Sequence, residues 1–155
     1  MKVLGIDPGT RKTGWGVATR RRSKLVALAH GVIRPPAKAP LADRLELIYD
    51  GLEAAIEAHQ PDVVAVEDVF FAKFANAAIK LGHVRGVVLL LVAKRGLGLA
   101  EYPPALVKRT VAGRGAADKD QMTRIVTAML GLDEAPKEDA ADALAVAVTH
   151  LAAAR

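Results

Sequence analysis

Apolar residues change their spacing repeatedly along this chain, and each change marks an element. Val3 to Ile6 form a short apolar run stopped by the turn signal Asp7-Pro8-Gly9. "TGWGVATR", the basic turn "RRSK" and "LVALAHGVIR" follow, a pattern that predicts three consecutive strands in a meander with residues 20–24 at a hairpin tip. Beyond the loop "PPAKAP", Leu41, Leu45, Ile48, Leu52 and Ile56 recur at helical spacing and predict an amphipathic helix over 41–59. "DVVAVED" (62–68) carries an unbroken apolar run, as parallel strands covered on both faces do. Residues 76–95 predict a long helix, "LGLAEY" another parallel-type strand, and residues 104–112, 119–130 and 138–154 three further helices.

Three antiparallel strands followed by alternating helix and strand make a mixed five-stranded sheet flanked by helices. This is an α/β order, and it fits the ribonuclease H-like fold. A length of 155 residues with 52% hydrophobic content suits one ordinary domain over 1–155. The start of the chain lacks an apolar signal region and a small-residue cleavage site, which predicts a cytoplasmic protein. The longest apolar run, "GVVLLLVA" (86–93), is flanked by Arg85 and by Lys94-Arg95. It falls well short of the roughly 20 residues that cross a bilayer and is expected to be a buried helix segment, with no membrane partner. Without cysteine, a metal has only carboxylate or imidazole to bind.

Charge sharpens this picture because it is segregated. Residues 8–42 hold eight Lys/Arg and no acid, whereas residues 43–68 hold eight acids and one Arg. Residues 69–117 again hold eight Lys/Arg against Glu101 alone, and residues 118–142 seven acids against three bases. An acidic focus ringed by basic surface suits a polyanion approached through cations or metal ions.

The acids have a common destination. Asp7 ends the first strand and Glu67 the fourth; if these strands pair in parallel, both carboxylates emerge at the edge where α/β proteins place ligands. Asp139 and Asp142 lie three residues apart in "DAADALAVAV", side by side on one helix face, with no basic residue in that stretch to relieve their repulsion. The last helix can deliver them to the same edge. Taken singly, Asp7 reads as a turn former, Glu67 as a solvated strand end and Asp139 as a macrodipole-favoured helix start. Asp142, among alanines, resists such a reading. Asp68 should point to the opposite face from Glu67 and is not counted as a ligand. Crowded carboxylates raise one another's pKa. Divalent ions remove that difficulty, and a pair of them about 3.5–4 Å apart serves phosphodiester hydrolysis.

Four stretches, "GIDPGTRKTGWG", "VEDVFFAKFANAAIKLGHVRGV", "YPPALVKRTVAGRGAADKDQM" and "DAADALAVAVTH", resemble the RuvC family of Holliday junction resolvases in order and spacing over essentially the whole chain. The resemblance implies a homodimeric endonuclease that binds four-way junction DNA and nicks two strands of like polarity. It implies Mg²⁺ as cofactor, two ions per site with Mn²⁺ a possible substitute, on Asp7, Glu67, Asp139 and Asp142. It also implies a branch-migration partner, the RuvA–RuvB complex.

Lys108 in "LVKRT" and Lys119 in "ADKDQ" match family lysines near the scissile phosphate. Lys119 is also odd locally: Asp118 and Gln121 form a capping-box pattern, and a cation in the first helical turn opposes the macrodipole. Arg11, Lys12, Arg20 to Arg22, Lys73, Lys80, Arg85, Arg109 and Arg114 are candidates for backbone contacts. Phe70, Phe71 and Phe74 follow Glu67 closely; stacking on unpaired bases is worth about 1–3 kcal/mol per base, and Phe70 matches the family's stacking aromatic. Phe74 departs from the usual asparagine, which puts local loop contacts and base preference in question. The helix over 76–95 is apolar nearly all round in its second half and needs cover on more than one side, from the sheet and from a twin helix. The four histidines show no ligand spacing, His150 being an outside candidate.

Sugar kinases and actin-like ATPases share the strand-end Asp and glycine-rich loop, but they clamp ATP between two such domains. A cleavage-dead junction binder gains nothing from concentrated acid. The short YqgF-type nucleases should lack "FFAK" and the "DAADALA" ending, both present here.

Overall fold

Strand alternation and a close helix approach decide which residues meet. The computed structural model describes residues 1–68, 75–115 and 117–154. Strands β1 (Lys2–Asp7), β2 (Thr13–Arg21) and β3 (Lys24–Ile33) form the meander. They are followed by α1 (Leu41–His59), β4 (Val63–Glu67), α2 (Ala75–Arg95) and β5 (Gly98–Tyr102), then by α3 (Pro104–Ala112), α4 (Lys119–Met129) and α5 (Glu138–Ala153). The sheet order is β3-β2-β1-β4-β5. β1, β2 and β3 pair antiparallel, and β1, β4 and β5 pair parallel. The expected mixed five-stranded sheet is the one observed, with element ends within one or two residues of their predicted positions.

Because side chains alternate across a strand, each face of the sheet has its own core. Leu4 and Ile6 of β1 and Val64 and Val66 of β4 pack with Ile48, Leu52, Val84 and Val88 of α1 and α2. Val3 and Ala65 face the other way, onto a cluster with Val107, Val126, Leu144 and Val148 of α3, α4 and α5. α5 is the most deeply buried helix, with ten residues from Ala140 to Leu151 enclosed. It lies close because Gly5 and Gly14 beneath it carry no side chains: a Cβ on Gly5 would collide with the Ala143 carbonyl, and one on Gly14 with the Asp139 carbonyl.

α2 corrects one expectation. Val84, Val88, Leu91 and Val92 are buried as expected, but Ile79, Leu89 and Leu90 are 60%, 44% and 57% exposed. The segment is thus a half-buried helix. By length and composition alone, Ala75–Arg95 would also suffice to cross a membrane, because the helix continues the 86–93 run toward its N-terminus with alanines and Ile79.

Candidate active site

Asp7 shares the α5-facing side of β1 with Val3 and Gly5, and Glu67 shares that side of β4 with Ala65. The pairing of Ile6 with Val66 makes the next residues, Asp7 and Glu67, neighbours across the parallel strand ends. α5 begins beside Gly14, the pairing partner of Asp7, and so brings Asp139 and Asp142 to the same edge. The four acids predicted to converge do so.

Their electrostatics record the crowding. Asp7 is pushed up to about 8, by burial first and then by Asp142, Asp139 and Glu67, with Lys119 working the other way. Asp142 is pushed up to about 6, again by burial first; Glu138 and Asp139 add to the rise while Lys119 and Lys108 oppose it. Burial and then Asp142 raise Glu67, against Lys108 and Lys119. A cavity of about 500 Å³ opens here, lined by Asp7, Glu67 and Asp142 with Lys108 and Lys119 on its walls.

The start of α4 supplies one of the cations. The predicted capping box is present, with the Gln121 amide N–H donating to Asp118 at 2.8 Å and the Asp118 N–H donating to the Gln121 side chain at 3.0 Å. This fixes α4 so that Lys119, its first residue, reaches the cavity. Lys119 Nζ stands 2.8 Å from Glu138 and 4.0 Å from Asp142. Its pKa is raised, chiefly by the hydrogen bond to Glu138, and Glu138 is lowered by the same contact. Lys12 Nζ lies 3.6 Å from Asp139. Sequence reasoning missed Glu138 altogether. The only local signal was a further acid beside Asp139 in the first turn of α5.

Other predicted residues scatter. Lys80 and Arg11 border a groove of about 460 Å³ between the β1–β2 loop and the start of α2. Arg114 borders a cavity of about 350 Å³ that shares Ala117 with the acidic one, and Arg109 is exposed on the last turn of α3. Arg85 has a bracing position instead: it donates to the Glu67 carbonyl at 2.9 Å and pairs with Glu101 at 3.0 Å and Asp68 at 3.7 Å. Arg20, Arg21 and Arg22 sit at the β2–β3 tip, the opposite end of the sheet from Asp7, where Arg20 donates to the Leu151 carbonyl. His150 is a correction. It follows Asp142 by eight residues on α5, roughly 12 Å, and its ring meets the Tyr102 hydroxyl at 2.7 Å rather than the acids. Phe70, Phe71, Lys73 and Phe74 lie outside the described residues.

Among the described residues no three His, Asp or Glu side chains already close round a metal position. The donor set nevertheless fits a hard divalent cation, which takes a few carboxylates and keeps waters and substrate oxygens as its other ligands. Buried carboxylates with raised affinity for a proton are the counterpart on the protein side: positive charge is what the cavity lacks.

A carboxylate cluster at the carboxyl edge of this sheet defines a ribonuclease H-like protein with a nuclease-type site. The family profile "Crossover junction endodeoxyribonuclease RuvC" matches residues 3–150. A Sorangium cellulosum protein of that name is 54% identical over 154 residues, covering 99% of this chain and 86% of the relative. One from Caulobacter vibrioides is 48% identical over 149 residues, covering 96% and 88%. The Thermus thermophilus RuvC solved in complex with a Holliday junction substrate superposes with a TM-score of 0.93 at 36% identity, covering 100% of this chain and 95% of that one. The yeast mitochondrial Holliday junction resolvase Ydc2, at 16% identity and a TM-score of 0.70, shares the fold. The chain belongs to the RuvC family of crossover junction endodeoxyribonucleases.

Proposed function

We propose that this chain is a structure-specific endonuclease that resolves four-way DNA junctions, nicking two strands of like polarity symmetrically in recombination and repair. The observation that carries the reading is the mutual crowding of Asp7, Glu67 and Asp142 in one cavity with Lys108 and Lys119. A relative 36% identical to it is described in complex with a Holliday junction substrate.

Asp7, Glu67, Asp139 and Asp142 would hold Mg²⁺, as two ions or with Mn²⁺ in its stead, and the bound cation would supply charge neutralisation of the acids, a lowered pKa for water and Lewis-acid stabilisation of the leaving oxygen. Lys108 and Lys119 meet the phosphodiester from the cavity walls, adding charge stabilisation as the phosphorus is attacked. Arg11, Lys12, Lys80, Arg109 and Arg114 orient the arms through their phosphates without reading sequence. Phe70, Phe71 and Lys73, directly after the β4 acid, approach unpaired bases at the junction centre.

The protein works as a homodimer through the open face of α2. Ile79, Leu89 and Leu90 are exposed there, and Gly82 and Gly86 leave open space between them. A two-fold axis through such a self-complementary face sets two sites against a symmetric junction. Its proposed location is the cytoplasm, with the RuvA–RuvB complex as partner.

The test is incubation of the protein with a labelled four-way junction and with a linear duplex, with and without Mg²⁺. The junction alone should be cut, and only with the ion. Asp7→Asn and Asp142→Asn should bind the junction and fail to cut it; near-normal cutting by either would overturn the site assignment.

A further inference from the structure

We infer that Glu138 is a positioning residue for Lys119, holding its ammonium group at the mouth of the acidic cavity and yielding it to the phosphodiester when DNA enters. The inference rests on the cleavage function proposed above. Two helix starts converge to make it possible. Lys119 opens α4, whose first turn is fixed by the Asp118–Gln121 capping box, so the base of the lysine side chain is set. Glu138 opens α5, where an acid in the first turn is favoured by the helix dipole.

The four-carbon stem of Lys119 is otherwise free, and its side chain is 73% exposed. A flexible cation of this kind has many rotamers to lose before it meets a phosphate. Glu138, 2.8 Å from Nζ, confines it within 4.0 Å of Asp142, beside the place where the scissile group must sit. Asp142 cannot do this alone, because a divalent cation bound to it cancels its attraction for Lys119. Glu138 does not line the cavity and keeps its charge for the lysine. The pair is also exchangeable: Glu138 is 52% exposed, and exposed ion pairs are weak enough for a phosphate to take over the lysine.

Steady-state cleavage of a synthetic four-way junction at saturating Mg²⁺ tests this with Glu138→Gln, Glu138→Asp, Lys119→Met and the double variant Glu138→Gln/Lys119→Met. Glu138→Gln should lower kcat by about three- to tenfold, a coupling typical of contacting residues, with KM unchanged or lower because an acid facing DNA has gone. Glu138→Asp should recover most of that loss. In the Lys119→Met background, Glu138→Gln should cost nothing further. A wild-type kcat in Glu138→Gln, or the same loss with and without Lys119, would overturn the inference while leaving the cleavage function standing. A wild-type chain that does not cut the junction overturns both.

Discussion

The backbone carbonyl of Asp139 occupies the position that a side chain on Gly14 would need. Gly14 pairs with Asp7 across β1 and β2, so this contact sets the distance between the acid on the strand and the two acids on the helix. Gly14→Ala must lift the start of α5 or distort β2. The expected cost is about 1–3 kcal/mol, seen as a lower melting temperature by circular dichroism. Junction cleavage should fall further than the folded fraction, because a displacement of about 1 Å at a reacting centre is enough to cost around 100-fold in rate. Unchanged melting and cleavage would show that the helix start is not held by this contact.

Asp7 makes the metal-free protein sensitive to alkali. Its carboxyl titrates near 8 in the folded chain against an ordinary value of 3.8. Between about pH 4 and pH 8 the unfolded chain has lost this proton while the folded chain keeps it, so each rise in pH favours unfolding. The destabilisation is absent below pH 4 and complete above pH 8. Asp142, pushed up to about 6, acts in the same direction over a narrower window. In chelator, Asp7→Asn should therefore melt above the wild type at pH 8, the gap closing toward pH 4. Saturating Mg²⁺ should narrow the gap by stabilising the wild type. Identical pH profiles for the two proteins would refute the assignment of Asp7 as a buried, crowded acid.

Much of this was legible in the chain because it depends on local rules. Strand-end turns placed Asp7 and Glu67, period two put them on one face and Asp68 on the other, and the capping box placed Lys119. Contacts between distant segments were not legible. Arg85 reads from "HVRGV" as a candidate for DNA-backbone contact, and nothing local shows that it braces the ends of β4 and β5 through Asp68, Glu101 and the Glu67 carbonyl. The pairs Lys119–Glu138 and Lys12–Asp139 arise only when helix and strand ends converge. Nothing local marks Gly5 and Gly14 as the floor on which α5 rests; their purpose is visible only in the packed structure. His150 shares the helix of the acids, but the length of that helix carries it to Tyr102 instead.

Lys108 and Lys119 face the cavity and draw down the raised pKa of Glu67 and Asp142. If each meets one phosphate, Lys108→Ala with Lys119→Ala should flatten the log–log salt dependence of junction binding by up to about 1.8 units. Fluorescence titration across a salt series, in Ca²⁺ or without divalent ions to prevent cutting, measures this directly. An unchanged slope would make both lysines surface charges with no part in DNA contact. If the lysines also stabilise charge as the phosphorus is attacked, as proposed, the same variants should cut poorly even at low salt, where binding is restored.

The proposed self-association through α2 would account for an otherwise costly surface. Ile79, Leu89 and Leu90 place large apolar side chains in water along one helix, while Val84, Val88 and Leu91 on the opposite side fill the core. Changing Leu90 to Glu leaves the core side untouched, so the monomer should fold with an unaltered melting temperature at low concentration. Across a two-fold axis, however, it sets a charge against an apolar face and its own copy, and sedimentation should show monomers where the wild type shows dimers. Monomers that keep their carboxylate cavity should still nick a junction at one strand, but paired nicking within one binding event should be lost. A Leu90→Glu protein that sediments as the wild type does would mean that another surface joins the subunits.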